Sequence, residues 1–343
     1  MTSSSSADAT RRVARLVARV FGVPVAVVAV WALRLSNRKA GIVLIYHSVA
    51  RHGGEPASEL VPPHGAGLFA RQVRHLVRHY RVVDAADVRG EASRRRRGGR
   101  FPAAITFDDD LGCHVIVTLP ILRETGATAT FFLSGASLER PFAFWYERLQ
   151  RAHDARVPGL AALVAGEGAT EPSTVHELGL LIEQMSPDDR DAVARRLGDA
   201  VGPDPSGAGI RAEQVRSLAD GGMTVGFHTL RHDSLAWLPD DRLETAMTDG
   251  RSPLAAATGR PVTTIGYPHG RGDERVAAAA RQVGFEAGFT TQPVAVTPDT
   301  DPLLQGRIGP SLRSVGAMAV LVAWALLKGG SGRSTQARAP RAS

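Results

Sequence analysis

Three adjacent carboxylates, Asp108, Asp109 and Asp110, directly follow a short apolar run in this chain. A run of this kind predicts a buried strand whose C-terminal end reaches the surface. Adjacent carboxylates repel one another, and a bound cation or a shared proton would relieve that repulsion. The cluster therefore indicates a site for a cation or a proton rather than a plain surface turn.

Two histidines, His228 and His232, follow a second predicted strand, residues 223–227, at a spacing that lets both imidazoles bind one ion. Such a pair alone is weak evidence for a metal site. Joined to a carboxylate cluster at another strand end, it gives the two-histidine, one-carboxylate ligand set of hydrolytic zinc with one open position. The second carboxylate is then free to act as a base. Because Cys113 is the single cysteine, a cysteine-cluster metal site is excluded.

Strands and helices alternate along most of the chain, which predicts a parallel sheet, most simply closed as a barrel. Residues 141–209 are mostly helical and are predicted to be an insertion. The predicted strands are 41–46, 80–85, 103–107, 129–133, 223–227, 263–267 and 286–291, and the predicted helices are 68–79, 119–123, 212–218, 241–257 and 273–283. Polar residues at the C-terminal ends of such strands are the candidates for a site.

Three motifs, TFDDD at 106–110, HTLRH at 228–232 and YPHG at 267–270, resemble the first three motifs of the polysaccharide deacetylases, the NodB-like carbohydrate esterases. The resemblance covers about residues 41–310, with 141–209 as a poorly matched insertion. It implies an α/β protein with a distorted TIM-like (β/α) barrel. It also implies a hydrolase that removes N- or O-acetyl groups from glycans.

The resemblance implies a role for each matching residue. Asp108 matches the general base of the family, and Asp109, His228 and His232 match the ligands of one divalent metal, most simply Zn²⁺. The metal would polarise the acetyl carbonyl while Asp108 takes a proton from the attacking water.

The chain departs from the family pattern at three places. Asp110 stands where the family usually has a glycine, a residue that often marks a backbone conformation disfavoured by side chains, and we expect Asp110 to be a spectator. Gly266 stands where the family usually has the arginine that orients the base, and Arg307 and Arg231 are the candidates to replace it. No histidine follows His269, so the late histidine that supplies the general acid is missing.

The first predicted strand offers a candidate for this acid. In the poly-N-acetylglucosamine deacetylase subgroup the motif order is permuted and the acid histidine lies on that strand, a place that His47 matches. A structural histidine at the barrel rim is the alternative for His47. His269 is the second candidate acid, and with Tyr267, Pro268 and Arg307 it makes up the predicted secondary, substrate-contacting set.

Two further features have a structural and a functional interpretation. The aromatic patch at residues 142–146 is either a rim on which sugars stack or, as we favour, a helix buried against the barrel. Cys113 and His114 follow the first motif at a helix start, and we expect them to pack and to cap the helix rather than to bind metal.

The formal charge of +7 resides in the ends of the chain. Residues 1–40 hold seven cations and one acid, residues 328–343 hold four cations and no acid, and residues 41–327 are therefore weakly acidic. This distribution argues against nucleic acid as a partner and favours ends that meet an anionic membrane surface. Solvated, disordered ends are the alternative.

Two apolar runs, residues 20–33 and 315–327, are shorter than the roughly 20 residues that a spanning helix needs. The first predicts a membrane anchor or an interfacial helix within an N-terminal segment, 1–40. The second predicts an apolar helix, interfacial or buried, ahead of a basic disordered tail within 311–343. A membrane-associated or cell-envelope location is therefore favoured over a cytoplasmic one.

These features together predict a metal-dependent N-deacetylase that acts on an N-acetylhexosamine-containing glycan. An O-acetyl esterase of the xylan type on the same scaffold is the first alternative. A catalytically inactive, glycan-binding barrel is the second, and the departures at Asp110 and Gly266 keep it open.

Overall fold

The structure is a computed structural model that describes residues 21–166 and 174–329. Its strands are β1 (Ile42–Tyr46), β2 (Val49–Ala50), β3 (His64–Gly65), β4 (Arg81–Val82), β5 (Pro102–Asp108), β6 (Thr130–Leu133), β7 (Thr224–Phe227), β8 (Thr264–Gly266) and β9 (Ala287–Phe289). Its α-helices are α1 (21–34), α2 (Ala66–His79), α3 (Val88–Arg94), α4 (Leu119–Thr125), α5 (Trp145–Asp154), α6 (Leu160–Ala165), α7 (Val175–Glu183), α8 (Pro187–Val201), α9 (Ala212–Asp220), α10 (Asp240–Thr248), α11 (Arg251–Thr258), α12 (Glu274–Gln282) and α13 (Val315–Lys328).

Seven strands form one parallel sheet in the order β1-β5-β6-β7-β8-β9, with β4 paired to the start of β5. The sheet curls, and the segment after β9 lies between its two edges. Gln305 bridges Phe289 of β9, and Ile308 bridges Leu44 of β1, both in the parallel sense. The predicted α/β class and the distorted (β/α) barrel are confirmed.

All seven predicted strands are present, in whole or in part, and most are buried; β5, for example, is buried at every position. The prediction of one helix over 241–257 is wrong. This segment forms two helices, α10 and α11, because Gly250 between them adopts a left-handed conformation with φ of 83°. The predicted strand 80–85 is also shorter than expected, since Asp84 leaves the sheet and its carboxylate accepts hydrogen bonds from Thr128 and Thr224.

The insertion is helical, as predicted, and contains α5 to α8. These helices pack around an apolar cluster of their own, which includes Phe144, Leu149, Ile182 and Leu197. Arg148 of α5 forms an ion pair of 2.7 Å with Asp204. The insertion therefore has a small core beside that of the barrel.

The helices α1 and α13 pack side by side on the flank of the barrel. A Cβ atom on Gly22 would lie 2.8 Å from the carbonyl oxygen of Gly316, so this close approach needs a glycine. Ala26 of α1 and Met318 of α13 belong to the main core. Within the described ranges no helix has both the length and the apolar character to cross a membrane. Residues 1–20 and the predicted basic tail lie outside the described residues.

Candidate active site

The C-terminal ends of β5 and β7 lie on either side of β6 and bring three predicted metal ligands together. Oδ1 of Asp109 lies 3.5 Å from Nε2 of His228 and 3.4 Å from Nε2 of His232. One ligand atom from each residue lies within 4.8 Å of the other two, and all three side chains are buried. The predicted ligand set is thus assembled at the sheet edge where the strands end.

The geometry of this cluster fits a divalent cation. Tetrahedral zinc with bonds of about 2.0–2.1 Å holds its ligand atoms about 3.3 Å apart, close to the two distances measured here. Oδ1 of Asp109 is buried without a hydrogen-bond partner, a costly arrangement that a cation would resolve. Nδ1 of His228 donates to the carbonyl of Gly266 at 2.7 Å, which leaves Nε2 facing Asp109. Burial lowers the pKa of His228 to about 4, so its imidazole is neutral, as a metal ligand must be.

The backbone at Asp109 is held in an uncommon conformation. Its φ is 73°, in the left-handed region. The family pattern has a glycine one residue later, which suggested this conformation for Asp110 instead. Nε2 of His114 donates to the Asp109 carbonyl at 2.9 Å and braces this turn. His114 is fully buried, as its predicted packing role requires, but the Cys113 side chain forms no capping hydrogen bond. The expected capping role of Cys113 is therefore wrong.

The predicted base, Asp108, is paired with an arginine from the segment that closes the sheet. Nη1 and Nη2 of Arg307 donate to its two oxygens at 2.5 and 2.8 Å, and both residues are buried. Burial opposes ionisation of Asp108, but the charge of Arg307 outweighs it and the pKa of Asp108 is lowered. The other candidate, Arg231, pairs instead with Asp188 and Asp191 of the insertion.

Packing around Gly266 explains why the arginine does not come from β8. A Cβ atom on Gly266 would lie 2.8 Å from Cγ of Phe132, so no larger side chain fits there. The guanidinium of Arg307 lies 5.3 Å from the centre of the same Phe132 ring. Phe132 and Arg307 together occupy the volume that an arginine at position 266 would need.

A cavity of about 340 Å³ opens onto Asp108, Asp109, His228 and His232. His47 and His269, the two candidate acids, both line it. Tyr267 and Pro268 do not line it, and their predicted contact with substrate stays a prediction. The hydroxyl of Tyr267 donates to the Leu303 carbonyl at 2.7 Å and holds this side chain in the barrel core, and Pro268 is also buried.

The aromatic patch is buried, as we favoured, but in the core of the insertion, and its inner edge lines the cavity. Trp145 and Tyr146 contribute to the cavity wall, and the ring of Phe144 lies 5.5 Å from that of His232. The Tyr146 hydroxyl is buried without a hydrogen-bond partner. Burial, and then the nearby charge of Asp109, raises the pKa of Tyr146 well above its ordinary value. A neutral phenol that can donate a hydrogen bond therefore lies beside the cluster of Asp109, His228 and His232.

Two residues of the insertion that carry no sequence signal also reach the site. Glu183 of α7 lies 3.6 Å from Nδ1 of His269, whose ring packs edge-on against His232. Burial lowers the pKa of His269, although Glu183 opposes the shift. Arg190 of α8 donates to Asp233 at 2.6 Å and to the Arg231 carbonyl at 3.1 Å, so it holds the loop that carries His232.

Fold and site together define an α/β barrel with a three-ligand cluster beside an arginine-paired carboxylate. Residues 95–288, more than half of the chain, match the sequence model of the Polysaccharide deacetylase family. The chain belongs to this family of hydrolases, and the resemblance expected from the three motifs is confirmed.

Relatives agree with this assignment. YxkH of Bacillus subtilis (strain 168), a provisionally named polysaccharide deacetylase, is 31% identical over 90 residues, which are 26% of this chain and 32% of YxkH. The match thus spans about a third of the length of that relative.

Two solved structures share the fold. The Streptococcus pyogenes deacetylase PplD, solved in complex with acetate, gives a TM-score of 0.56 at 18% identity, covering 82% of this chain and 98% of PplD. A de-N-acetylase from Aggregatibacter actinomycetemcomitans gives 0.51 at 15% identity, covering 80% of this chain and 96% of that one.

Proposed function

We propose that the protein is a metal-dependent N-deacetylase that removes acetyl groups from an N-acetylhexosamine-containing glycan. One observation carries the proposal: the cluster of Asp109, His228 and His232 adjoins a second carboxylate, Asp108, that is held separately by Arg307. Hydrolysis of an acetyl amide needs both a cation at the carbonyl and a base for water. Membership of the polysaccharide deacetylase family supports an acetylated glycan as substrate.

Asp109, His228 and His232 would hold the metal, for which Zn²⁺ is the best match to the donor set. When bound, such a cation would polarise the acetyl carbonyl and make water more acidic. Asp108 accepts the proton of the attacking water, and Arg307 keeps that carboxylate ionised and oriented. The two carboxylates thus divide the work of binding the cation and accepting the proton.

Cleavage of an amide also requires a proton for the leaving nitrogen. We assign this donor to His47, which lines the same cavity as Asp108 and follows the first strand of the barrel. His269 lines the cavity as well, but it packs against the metal ligand His232 and faces Glu183. This position suits a residue that supports the cluster and contacts the sugar.

The test is release of acetate from N-acetylglucosamine oligomers and, in parallel, from acetylated xylan. We expect release from the oligomers, loss of release with a chelator, and recovery with added Zn²⁺, while an Asp108→Asn variant stays inactive. Release from acetylated xylan alone would identify an O-acetyl esterase. Glycan binding without acetate from either substrate would identify an inactive, glycan-binding barrel.

A further inference from the structure

The outward sides of α1 and α13 expose most of the large apolar side chains found on the surface of the described part of the chain. Nine of the twelve such side chains in that part lie on these helices or directly after α1: Phe21, Val25, Val28, Trp31, Leu35, Val320, Leu321, Trp324 and Leu327. Val28 is 66% exposed and Trp31 59%. We call this surface the apolar face.

Both helices contribute to a single face because they lie side by side in the same direction. Gly22, near the start of the described part of α1, contacts Gly316 near the start of α13, and Arg38, which follows α1, approaches Gly329 at the end of α13. On each helix the exposed apolar residues recur at helical spacing, while the opposite side is buried in the core at residues such as Val30 and Val322. Each helix is thus apolar on its inner and its outer side, and a helix of that kind is normally covered on both.

Cations border this face at the C-terminal ends of the helices. Nζ of Lys328 lies 4.9 Å from the ring centre of Trp324, and Arg97 donates to the Leu35 carbonyl. Arg34, Arg38, Lys39 and Arg96 belong to the same region. The sequence has no aspartate or glutamate between Asp8 and Glu55 and none after Asp301. The surroundings of the apolar face are therefore strongly cationic.

We propose that the apolar face docks the enzyme onto an anionic lipid bilayer, with α1 and α13 lying in the plane of the interface. The described part of α1 and the whole of α13 are each about 21 Å long, shorter than the hydrocarbon core is thick and suited to lie along its surface. Tryptophan is favoured at the membrane–water interface, and Trp31 and Trp324 supply one such ring from each helix. The arginines that precede residue 20 and follow residue 329 in sequence add to the attraction for anionic headgroups.

Charge favours a bilayer over a second copy of this chain as the occupant. Two copies joined through the apolar face with their helices parallel would bring their cationic borders together, and like charges oppose such a contact. Anionic headgroups are complementary to the same borders and cover the apolar residues at the same time.

The chain path also shows where the cavity lies relative to the apolar face. The closing segment at Ile308 runs parallel to β1 towards the site, and α13 then returns along the barrel until Gly329 lies near Arg38, close to the start of β1. The apolar face is thus a flank of the barrel, whereas the cavity opens at the end of the barrel. A docked enzyme keeps its cavity beside the bilayer and open to a substrate at its surface.

Flotation of the full chain with vesicles tests the proposal without reference to catalysis. We expect binding to vesicles of phosphatidylcholine and phosphatidylglycerol at low salt. Binding should be at least tenfold weaker with phosphatidylcholine alone or in 0.5 M salt. Equal binding to both vesicle types, or no binding to either, would overturn the proposal.

Matched variants locate the contact. The triple variant Val28→Ser, Trp31→Ser and Trp324→Ser should bind anionic vesicles at least tenfold more weakly. The double variant Lys39→Glu and Lys328→Glu should also bind more weakly, with a smaller salt dependence. Ile116→Ser, at a 71% exposed apolar residue on another element, should bind like the wild type. Circular dichroism and turnover of soluble oligomers should be unchanged in all of them. A concentration-dependent dimer that the triple variant abolishes, with no vesicle binding by the wild type, would instead make this face an interface between two copies.

Discussion

Both oxygens of Asp108 are held by the guanidinium of Arg307, 199 residues later in the sequence. Breaking a buried pair of this kind leaves an uncompensated charge and costs about 3–5 kcal/mol of stability. In an Arg307→Gln variant, burial would act on Asp108 without its main counter-charge, and the pKa of Asp108 would rise. Because the base must be ionised, the acidic limb of the pH profile of kcat/KM should move to higher pH. Arg231→Gln, at an exposed arginine, is the control and should leave that limb in place.

The different roles proposed for Asp108 and Asp109 predict that only the Asp109 variant loses metal. Asp109→Asn and His228→Ala should lose stoichiometric zinc, since each removes a ligand of the cluster. Asp108→Asn should keep the zinc and lose turnover by several orders of magnitude, because the base is absent. Elemental analysis beside acetate release makes the comparison. Equal zinc in the Asp108 and Asp109 variants would contradict the assignment.

Asp110 has a structural role, while the expectation that it is a spectator in turnover stays a prediction. Its carboxylate accepts hydrogen bonds from the backbone and hydroxyl of Ser134 and from the hydroxyl of Ser137, at 2.7, 2.8 and 3.1 Å. Asp110→Gly would leave these buried donors unpaired, at a cost of roughly 1–3 kcal/mol for each. We expect a clearly lower midpoint of urea unfolding. An unchanged midpoint would contradict the structural role, and a loss of acetate release by a folded Asp110→Gly variant would contradict the spectator expectation.

The assignment of His47 as proton donor predicts a dependence on the leaving group. His47→Ala should slow hydrolysis of amides far more than that of activated esters, whose leaving groups need no proton. Rates on N-acetylglucosamine oligomers and on an activated acetyl ester provide the comparison, with His269→Ala as the matched variant. If only the His269 variant shows the amide-selective loss, the proton donor is His269.

Buried His64 should make the stability of the protein fall in mild acid. Its ring packs edge-on against Tyr46 at 4.9 Å, and burial, followed by repulsion from His47, lowers the pKa of His64 from 6.5 to about 4. Because the folded protein holds His64 neutral, the contribution of this residue to the free energy of unfolding is fully present above pH 6.5. It is lost as the pH falls towards 4. The free energy of unfolding should drop by roughly 2 kcal/mol between pH 7 and pH 5 on this account. A His64→Gln variant should show a flatter pH dependence, whereas His52→Gln, at an exposed histidine, should follow the wild type.

The core of the site was predictable because its residues directly follow buried strands. Asp108 ends β5 and His228 follows β7, so the ends of a parallel sheet bring them together without further information. The choice between Arg307 and Arg231 was not predictable, since Arg307 lies on a closing segment that pairs through isolated bridges and lacks a strand pattern.

The contribution of the insertion was not predictable either. Tyr146 and Glu183 reach the cavity because the insertion folds over the end of the barrel, and an amphipathic helix pattern does not specify the surface on which a helix packs. For Tyr146, the aromatic patch in the sequence indicated a contact with the site as one of two interpretations. Glu183 had none, since an isolated carboxylate on a helix is ordinarily a solvated residue.

The hydrogen bonds from Arg190 to the loop around His232 matter for any redesign of the protein. On the proposed function, the insertion is the natural place to alter which glycan the cavity accepts, because its helices form one wall. The same segment also holds the loop of His232, a predicted metal ligand, so we expect that exchanging the insertion for another would alter substrate choice and retention of the proposed ion together. A graft that aims to change specificity alone would have to carry Arg190 and its acceptors with it.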